Sequence, residues 1–424
     1  MASEQNRNLQ MALIIAEAVA CAGGTAYYVG GFVRDRRMGI ESKDVDLEIH
    51  GITPDLLCAV LDSLGERTVM GTSFGVYGLR HFDLDIAMPR TEHATGRGHR
   101  DFEVDVDPFL GPEKAAARRD FTINAMMENV LTGELLDPFQ GMDDLRAGII
   151  RHVTPDTFAD DPLRILRAAQ FASRFSFRIA EETVLLSHRT SLEALPRERV
   201  YAELEKAMCN GKAPSVFFEG LRLMKGLKEW FPDAALTAED PARWSEALAF
   251  LDRAGACRQD ARDPLSLMMA AFALAFSPDE NGVSSLSVLT DNRHLLRTVE
   301  NLRASTLADP SFASASEHPD EIAVLFDRSV CPEDALLLSF AYNCFPESTL
   351  KTLQGQLSSF RERMALPQIT GRDLLLAGIP EGAVLGKALA YAHALHLKGI
   401  PKEQALADTV SRFRDSDPQN GGAE

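Results

Sequence analysis

A chain of 424 residues with 45% apolar content is long enough for two to four domains, each with a buried core. A net charge of −18 excludes a general nucleic-acid coat, which needs a basic surface to neutralise phosphates. No apolar run reaches the length of a membrane-spanning helix, and no membrane partner is expected. Six cysteines without CxxC spacing (Cys21, Cys58, Cys209, Cys257, Cys331, Cys344) predict buried thiols in a reducing, cytoplasmic setting, with neither a zinc site nor a disulfide framework.

The first predicted element is a helix over Leu9–Cys21, closed by Gly23-Gly24; Glu17 interrupts its apolar run and no basic cluster precedes it, unlike a secretory leader. Short β-like runs follow at Tyr27–Val29, Val45–Ile49, Thr68–Gly71, Gly75–Leu79 and Phe82–Ala87. A helix over Pro54–Leu64, opened by Thr53 as N-cap, interrupts them. Mixed strands and helices of this kind predict a small α+β domain with its site at strand ends. From Arg90 to about Pro112 the sequence is polar, glycine-containing and aperiodic, a loop of functional or mobile character.

After about residue 143 the β signals fade, and Asp161–Phe175, Glu181–Leu186, Arg197–Met208, Ser215–Leu227 and Pro241–Ala254 read as helices. The remainder stays helical, with joints near Phe231-Pro232-Asp233, Asp309-Pro310 and His318-Pro319, no internal repeat, and a disordered composition over Asp415–Glu424. Charge is uneven along this order. Residues 1–144 carry 13 Lys+Arg against 24 Asp+Glu, residues 145–212 carry 11 against 9, and residues 213–424 carry 20 against 29. The one non-acidic segment is therefore 145–212, and all but two of its basic residues are Arg, whose planar fork suits phosphates and base edges. Salt-bridged helices are the plainer reading of the same composition.

Several constellations carry chemistry. Gly30-Gly31-Phe32-Val33-Arg34-Asp35 follows the apolar run Tyr27-Tyr28-Val29, and paired glycines there let backbone N–H groups approach a phosphate. Asp44 and Asp46, spaced by one, share a strand face and can hold one divalent ion. Together they describe a site that binds a nucleoside triphosphate and transfers at phosphorus; a turn beside an acidic edge is the bland alternative. A third carboxylate comes from Phe82–Ala87, where Asp83 and Asp85 alternate on one face and either can reach the site. In Arg118-Arg119-Asp120-Phe121-Thr122-Ile123-Asn124, the adjacent arginines suit a triphosphate, and Asp120 and Asn124 suit bracing of the loops around them.

In Asp160-Asp161-Pro162-Leu163-Arg164-Ile165-Leu166-Arg167, Pro162 fits a first helical turn capped by an Asp. Asp161, Arg164 and Arg167 then project to one side, where a carboxylate and a guanidinium can read the Watson–Crick edge of a base. A capped helix with an Asp–Arg ion pair explains the same spacing. Leu195 to Lys206 reads as a buttressing helix, with Val200, Leu204 and Ala207 facing a core.

These segments, in this order, resemble the class II tRNA nucleotidyltransferase and bacterial poly(A) polymerase family. The likeness runs from Tyr28 to about Met208 through VGGFVRD…DVD, RRDFTINAM, DPFQGMDDL, DDPLRILRAAQFASRF and ERVYAELEKAM, and a weaker one covers Ile369–Leu374 through Gly386-Lys387. It implies an α+β nucleotidyltransferase (polymerase beta-like) head with a mixed sheet over 1–144. A helical neck over 145–212, a helical body over 213–345 and a tRNA-binding helical tail over 346–424 would follow. Carried over by position, Asp44 and Asp46 would ligate Mg²⁺, and Asp85 is favoured as the further catalytic carboxylate. Gly30, Gly31, Arg34 and Arg119 would meet the triphosphate, and Asp161 and Arg164, with Arg167 beside them, would select CTP and then ATP without a template. Two departures stand out: Asp160 where a Glu is usual, and Gln170 where some members have another Arg.

The activity implied is addition of CCA to the 3′ end of tRNA from CTP and ATP by two-metal nucleotidyl transfer, releasing pyrophosphate. No obligate protein partner is implied. The Arg90–Ala117 stretch has a length similar to members that add all of CCA. Addition of CC or A alone, poly(A) synthesis, and a catalytically inactive RNA-binding relative are the competing readings. No His-Asp dipeptide occurs, which argues against an appended phosphohydrolase domain of the HD type.

Overall fold

A computed structural model of the chain describes residues 2–42, 44–69, 76–94, 102–277, 284–307 and 319–414. They belong to two units, Met1–Pro241 and Ala242–Glu424.

In the first unit, helix α1 (Ala2–Cys21) buries Ala12, Ile15, Ala16 and Val19, the three-and-four spacing of one helical face. Strand β1 (Thr25–Val29) runs into the short helix α2 (Gly30–Arg37), and strand β2 (Val45–His50) follows. Helix α3 (Pro54–Leu64) begins and ends where the sequence predicts, and the Thr53 hydroxyl accepts from the Leu56 N–H at 3.4 Å. Strands β3 (Arg67–Val69), β4 (Val76–Leu79) and β5 (Leu84–Ala87) come next.

The stretch read as a loop contains more structure than its sequence pattern shows. Strands β6 (Arg90–Ala94) and β7 (Phe102–Val106) pair antiparallel as a separate ribbon, and helix α4 (Pro112–Ala117) follows. A buried 3-10 turn over Thr122–Asn124 then leads to strands β8 (Met127–Asn129) and β9 (Leu135–Leu136), neither predicted, and to helix α5 (Gly141–Ala147). The seven-stranded sheet has the order β3-β4-β5-β2-β1-β8-β9; β2 and β5 run parallel, and every other neighbouring pair runs antiparallel. Val29, Ala116, Ala125 and Met127 pack together on it, with Tyr27 and Phe139 at the edge of the cluster.

Beyond α5, β strand persists as β10 (Ile149–Ile150), which pairs in parallel with β11 (Arg178–Ile179). Between them lie α6 (Pro155–Asp160) and α7 (Leu163–Phe175), and after them α8 (Glu181–Ser187), α9 (Arg197–Asn210), α10 (Pro214–Leu223) and α11 (Pro232–Thr237). Helix α7 is buried on most sides (Leu163, Ile165, Leu166, Phe171, Phe175) because α9 and α10 both pack on it. Each such large side chain contributes about 1.5–3 kcal/mol by leaving water, so α7 is a rigid platform for its polar edge.

The second unit is helical: α12 (Pro241–Cys257), α13 (Pro264–Phe276), α14 (Ser284–Leu289), α15 (Arg293–Leu307), α16 (Pro319–Arg328), α17 (Pro332–Asn343), α18 (Glu347–Met364), α19 (Gly371–Leu376), α20 (Ala383–Leu397) and α21 (Lys402–Phe413). Helix α13 is buried nearly all round and packs on α15 and α17. Its entry is fixed twice: Asp263 caps the Ser266 N–H, and the wholly buried Asp334 accepts from the N–H groups of Arg262 and Asp263 at 2.8 and 2.9 Å.

An α+β head with a mixed sheet followed by helices is the fold class that the sequence predicts. The cysteines depart from expectation: all six are free thiols, but only Cys257 is buried, whereas Cys21 and Cys344 are exposed and Cys58, Cys209 and Cys331 are half-buried. No described helix is long and apolar enough to cross a membrane. Gly71 and Gly75, predicted at strand ends, and the terminal Asp415–Glu424 lie outside the described residues.

Candidate active site

The parallel pairing of β2 and β5 sets Asp46 directly opposite Asp85. Asp44 lies just ahead of β2 and Asp83 just ahead of β5, so the two DxD pairs come side by side at the beginnings of adjacent strands. Asp83 is not on the strand itself; its N–H donates to Asn8 at 3.4 Å. Burial, then the charge of Asp85, pushes the Asp46 carboxyl up to about 6; Asp44 adds to this while Arg119 and Arg34 oppose it. Burial, with the charges of Asp44 and Asp83, also raises Asp85. The cluster therefore holds negative charge under strain, a condition that a cation relieves.

Gly30 opens α2 in the left-handed region at φ +65°, a conformation forced by the tight passage from β1 into the helix. A Cβ there would stand 3.1 Å from Arg119 Nη1 and 3.5 Å from Asp46 Oδ2. Gly30 is thus the open space in which the arginine and the carboxylate meet the turn. Gly30→Ala is expected to lower unfolding stability by about 1–2 kcal/mol, because an L side chain is disfavoured at positive φ. It should also displace Arg119; urea unfolding measures the first effect and the KM for nucleotide the second.

Next to this turn lies a cavity of about 390 Å³ lined by six arginines (Arg90, Arg118, Arg119, Arg164, Arg167, Arg199), two aspartates (Asp120, Asp161) and Leu163. Arg119 belongs to both places, which joins the carboxylates and the cavity into one site. The polar edge of α7 organises the wall. Arg164 donates to the carbonyls of Thr157 and Arg118 at 2.6 Å each, with that of Arg119 at 3.5 Å, and so pins the loop that carries both arginines. Arg167 grips Asp120 Oδ2 through Nε and Nη2 at 2.9 and 2.7 Å. Burial works to raise Asp120, but Arg167, Asn124 and Arg164 outweigh it and hold the carboxyl below its usual range.

Asp120 Oδ1 in turn accepts from Asn124 at 3.0 Å, which is the bracing that the sequence suggests. Asn124 Oδ1 accepts from Arg34 Nη1 at 2.6 Å. Arg34 is enclosed: 3% exposed, paired with Asp35 at 2.7 Å, and stacked over Phe171 and Phe175. In this arrangement it ties α2 to α7. Asp161 holds the start of α7, its Oδ1 accepting from Leu163 N–H at 3.1 Å, while its Oδ2 accepts from Arg199 at 3.0 Å.

Of the residues singled out in the sequence, Asp44, Asp46 and Asp85 come together with Gly30 and Arg119, while Asp161, Arg164 and Arg167 line the adjoining cavity. Gly31 lies one residue further into α2, where a Cβ would sit 3.4 Å from Arg34 Nη2. Sequence reasoning missed Arg199 and Glu48. Arg199 was visible only within ERVYAELEKAM, where helical periodicity assigns it to a buttress. Glu48, two residues beyond Asp46, continues the alternation of β2, but its partners come from another part of the chain.

Residues 26–151 match the family model of the Poly A polymerase head domain. A Multifunctional CCA protein of Nitrosococcus oceani is 46% identical over 211 residues, which is 49% of this chain and 50% of the relative. The aligned region thus spans about half the length of the curated relative. The fold is similar to that of Bacillus stearothermophilus CCA-adding enzyme in complex with CTP (TM-score 0.74, 22% identity, 96% of this chain and 98% of that one). It is also similar to Thermotoga maritima CCA-adding enzyme complexed with tRNA (TM-score 0.70, 23% identity, 95% of each chain). These matches agree with the resemblance that the motifs carry.

Proposed function

We propose that this chain adds CCA to the 3′ end of tRNA from CTP and ATP, without a nucleic-acid template, by nucleotidyl transfer with release of pyrophosphate. The observation that carries the reading is the sharing of Arg119 between the Asp46–Asp85 pair under Gly30 and the arginine-lined cavity of α7. Such a site offers cationic donors for a triphosphate and, within reach of the same arginine, carboxylates of the kind that nucleotidyl transfer needs.

Asp44 and Asp46, with Asp85 beside Asp46, would hold Mg²⁺. Their oxygens are hard donors, and the raised Asp46 carboxyl marks a place that favours added positive charge. Among the described residues no group of three or more His, Cys, Asp or Glu side chains is placed to hold a metal ion, so one or two of these carboxylates would serve, with water and substrate phosphates completing the Mg²⁺ shell. When bound, the metal supplies neutralisation of the charge that develops on the transferring phosphate.

The chain's own residues do the rest. Arg119 and Arg118 engage the phosphates by charge-assisted hydrogen bonds, beside the backbone of Gly30 and Gly31. Asp161 and Arg164 read the base: the first is fixed by Leu163 and Arg199, the second by two short backbone contacts, so each presents a set direction to the ring edge. Arg167 holds Asp120 beneath them, and Arg34 fixes the glycine turn from behind. The proposed layout is a head over 1–144, a neck over 145–212, and a body and tail over 213–345 and 346–424 that hold the tRNA. The six free thiols fit a cytoplasmic setting.

The test is incorporation by the full chain with Mg²⁺ on a tRNA lacking CCA, a tRNA ending in CC, and an unstructured oligonucleotide. Three nucleotides added to the first, only with both CTP and ATP, is the expected result. A single A added to the second alone, ATP-only tails on the third, or no incorporation would each replace the reading with A addition, poly(A) synthesis or RNA binding.

A further inference from the structure

Strand β2 places Asp46, Glu48 and His50 at alternate positions, hence on one face of the sheet. Asp46 belongs to the carboxylate cluster, whereas Glu48 is only 1% exposed and takes no part in the chemistry described above. Its Oε2 accepts from Arg119 Nη2 at 3.1 Å, with Arg118 Nη2 at 3.8 Å, and its Oε1 faces His50 Nε2 at 2.9 Å. The His50 ring is held edge to face against Tyr27, their centroids 5.3 Å apart. Glu48 is thus enclosed by two guanidinium groups at one carboxylate oxygen and by the His50 ring at the other.

A buried ion pair adds little stability over an apolar pair of the same shape, so stability alone gives weak reason for a charged glutamate here. Its geometric effect is specific. Arg119 Nη2 is tied to Glu48 while Nη1 points into the space above Gly30, and Arg119 Nε is buried with no hydrogen-bond partner. One carboxylate oxygen thus anchors one end of the guanidinium that faces both Asp46 and the cavity.

We propose that Glu48 is a positioning residue: with His50 behind it, it holds the Arg119 guanidinium over Gly30 in the orientation that receives the triphosphate of the incoming nucleotide. The inference rests on the transfer reading above for its substrate, but its physical content is polyphosphate binding. Glu48→Gln keeps the shape of the side chain and removes its charge. His50→Phe keeps a ring against Tyr27 and deletes only the contact to Glu48.

The experiment measures binding of inorganic tripolyphosphate to the full-length chain by calorimetry in the presence of EDTA, together with KM and kcat for CTP incorporation. Glu48→Gln is expected to weaken tripolyphosphate binding and raise KM by about tenfold each, the scale expected for a displaced positioning group. The preference for CTP over UTP should not change, because base reading lies elsewhere. His50→Phe should act in the same direction and less strongly, and it carries the test should Glu48→Gln not fold. In an Arg119→Ala background, Glu48→Gln should have no further effect.

Wild-type or tighter tripolyphosphate binding by folded Glu48→Gln would overturn the proposal, the tighter case meaning that Glu48 competes with phosphate for Arg119. So would additive losses with Arg119→Ala, or no tripolyphosphate binding by the wild type. If tripolyphosphate binding depends on Glu48 and Arg119 as stated while no RNA is extended, the transfer reading fails and the positioning role stands.

Discussion

Asp46→Asn is expected to reduce nucleotide incorporation by about a thousandfold or more, on the scale of losing an electrostatic group at a reaction centre, and to raise the melting temperature at neutral pH. The two effects share one cause. Asp46 is half-buried opposite the exposed Asp85 and near the exposed Asp44, and its carboxyl is raised from an ordinary 3.8 to about 6. Between these values the folded chain holds a proton that the unfolded chain releases. Stability contributed by this group is therefore fully present below 3.8 and lost as pH rises through about 6. A gap of this size corresponds to about 3 kcal/mol of destabilisation at neutral pH. Asn removes the charge and with it most of that burden, which amounts to several degrees for a unit of this size. Adding Mg²⁺ should raise the wild-type melting temperature and leave that of the variant nearly unchanged. Incorporation at the wild-type rate would remove Asp46 from the reaction; a lower melting temperature would mean that its attraction to Arg119 outweighs the repulsion.

The same physics decides what was legible in the sequence. Elements whose sequence alternates or repeats apolar residues show their period, so α3 and the strands β1 and β2 were readable with their edges nearly in place, even though β2 is buried on both faces. Strands of two or three residues, such as β8 and β9, are too short to display a period of two. In the β6–β7 ribbon only β7, Phe102-Glu103-Val104-Asp105-Val106, alternates apolar and polar residues; its partner β6 is polar, and the stretch between Arg90 and Pro112 read as loop. In the site, residues that sit within one motif were found as a group: Asp44 with Asp46, Arg118 with Arg119, Asp161 with Arg164. What the sequence does not carry is the pairing between motifs. Asp161 meets Arg199 across 38 positions, and Glu48 meets Arg119 across 71. Arg34 is the reverse case, since its place in the glycine motif suggests a phosphate contact while its side chain lies enclosed between α2 and α7.

Arg164→Ala should show the second large effect, a loss of about a hundredfold in kcat/KM together with relaxed choice among nucleotides. The size follows from a double role. Its guanidinium faces the cavity, and the same group anchors the carbonyls of Arg118 and Thr157, so its removal frees the loop bearing Arg118 and Arg119. Arg164→Lys should rescue little, because a single ammonium cannot span two carbonyls in the fixed directions of a planar fork. Asp161→Asn separates the two roles. It retains an oxygen to cap Leu163 N–H but replaces one acceptor with a donor, so α7 stays in place while the hydrogen-bond pattern offered to the base changes. Competition among CTP, ATP, UTP and GTP on a tRNA lacking CCA measures both. Asp161→Asn should admit UTP or GTP at a rate close to that for CTP, with smaller loss of overall rate than Arg164→Ala. If both variants keep the wild-type preference, the edge of α7 does not read the base, and selection must lie with residues outside this wall of the cavity.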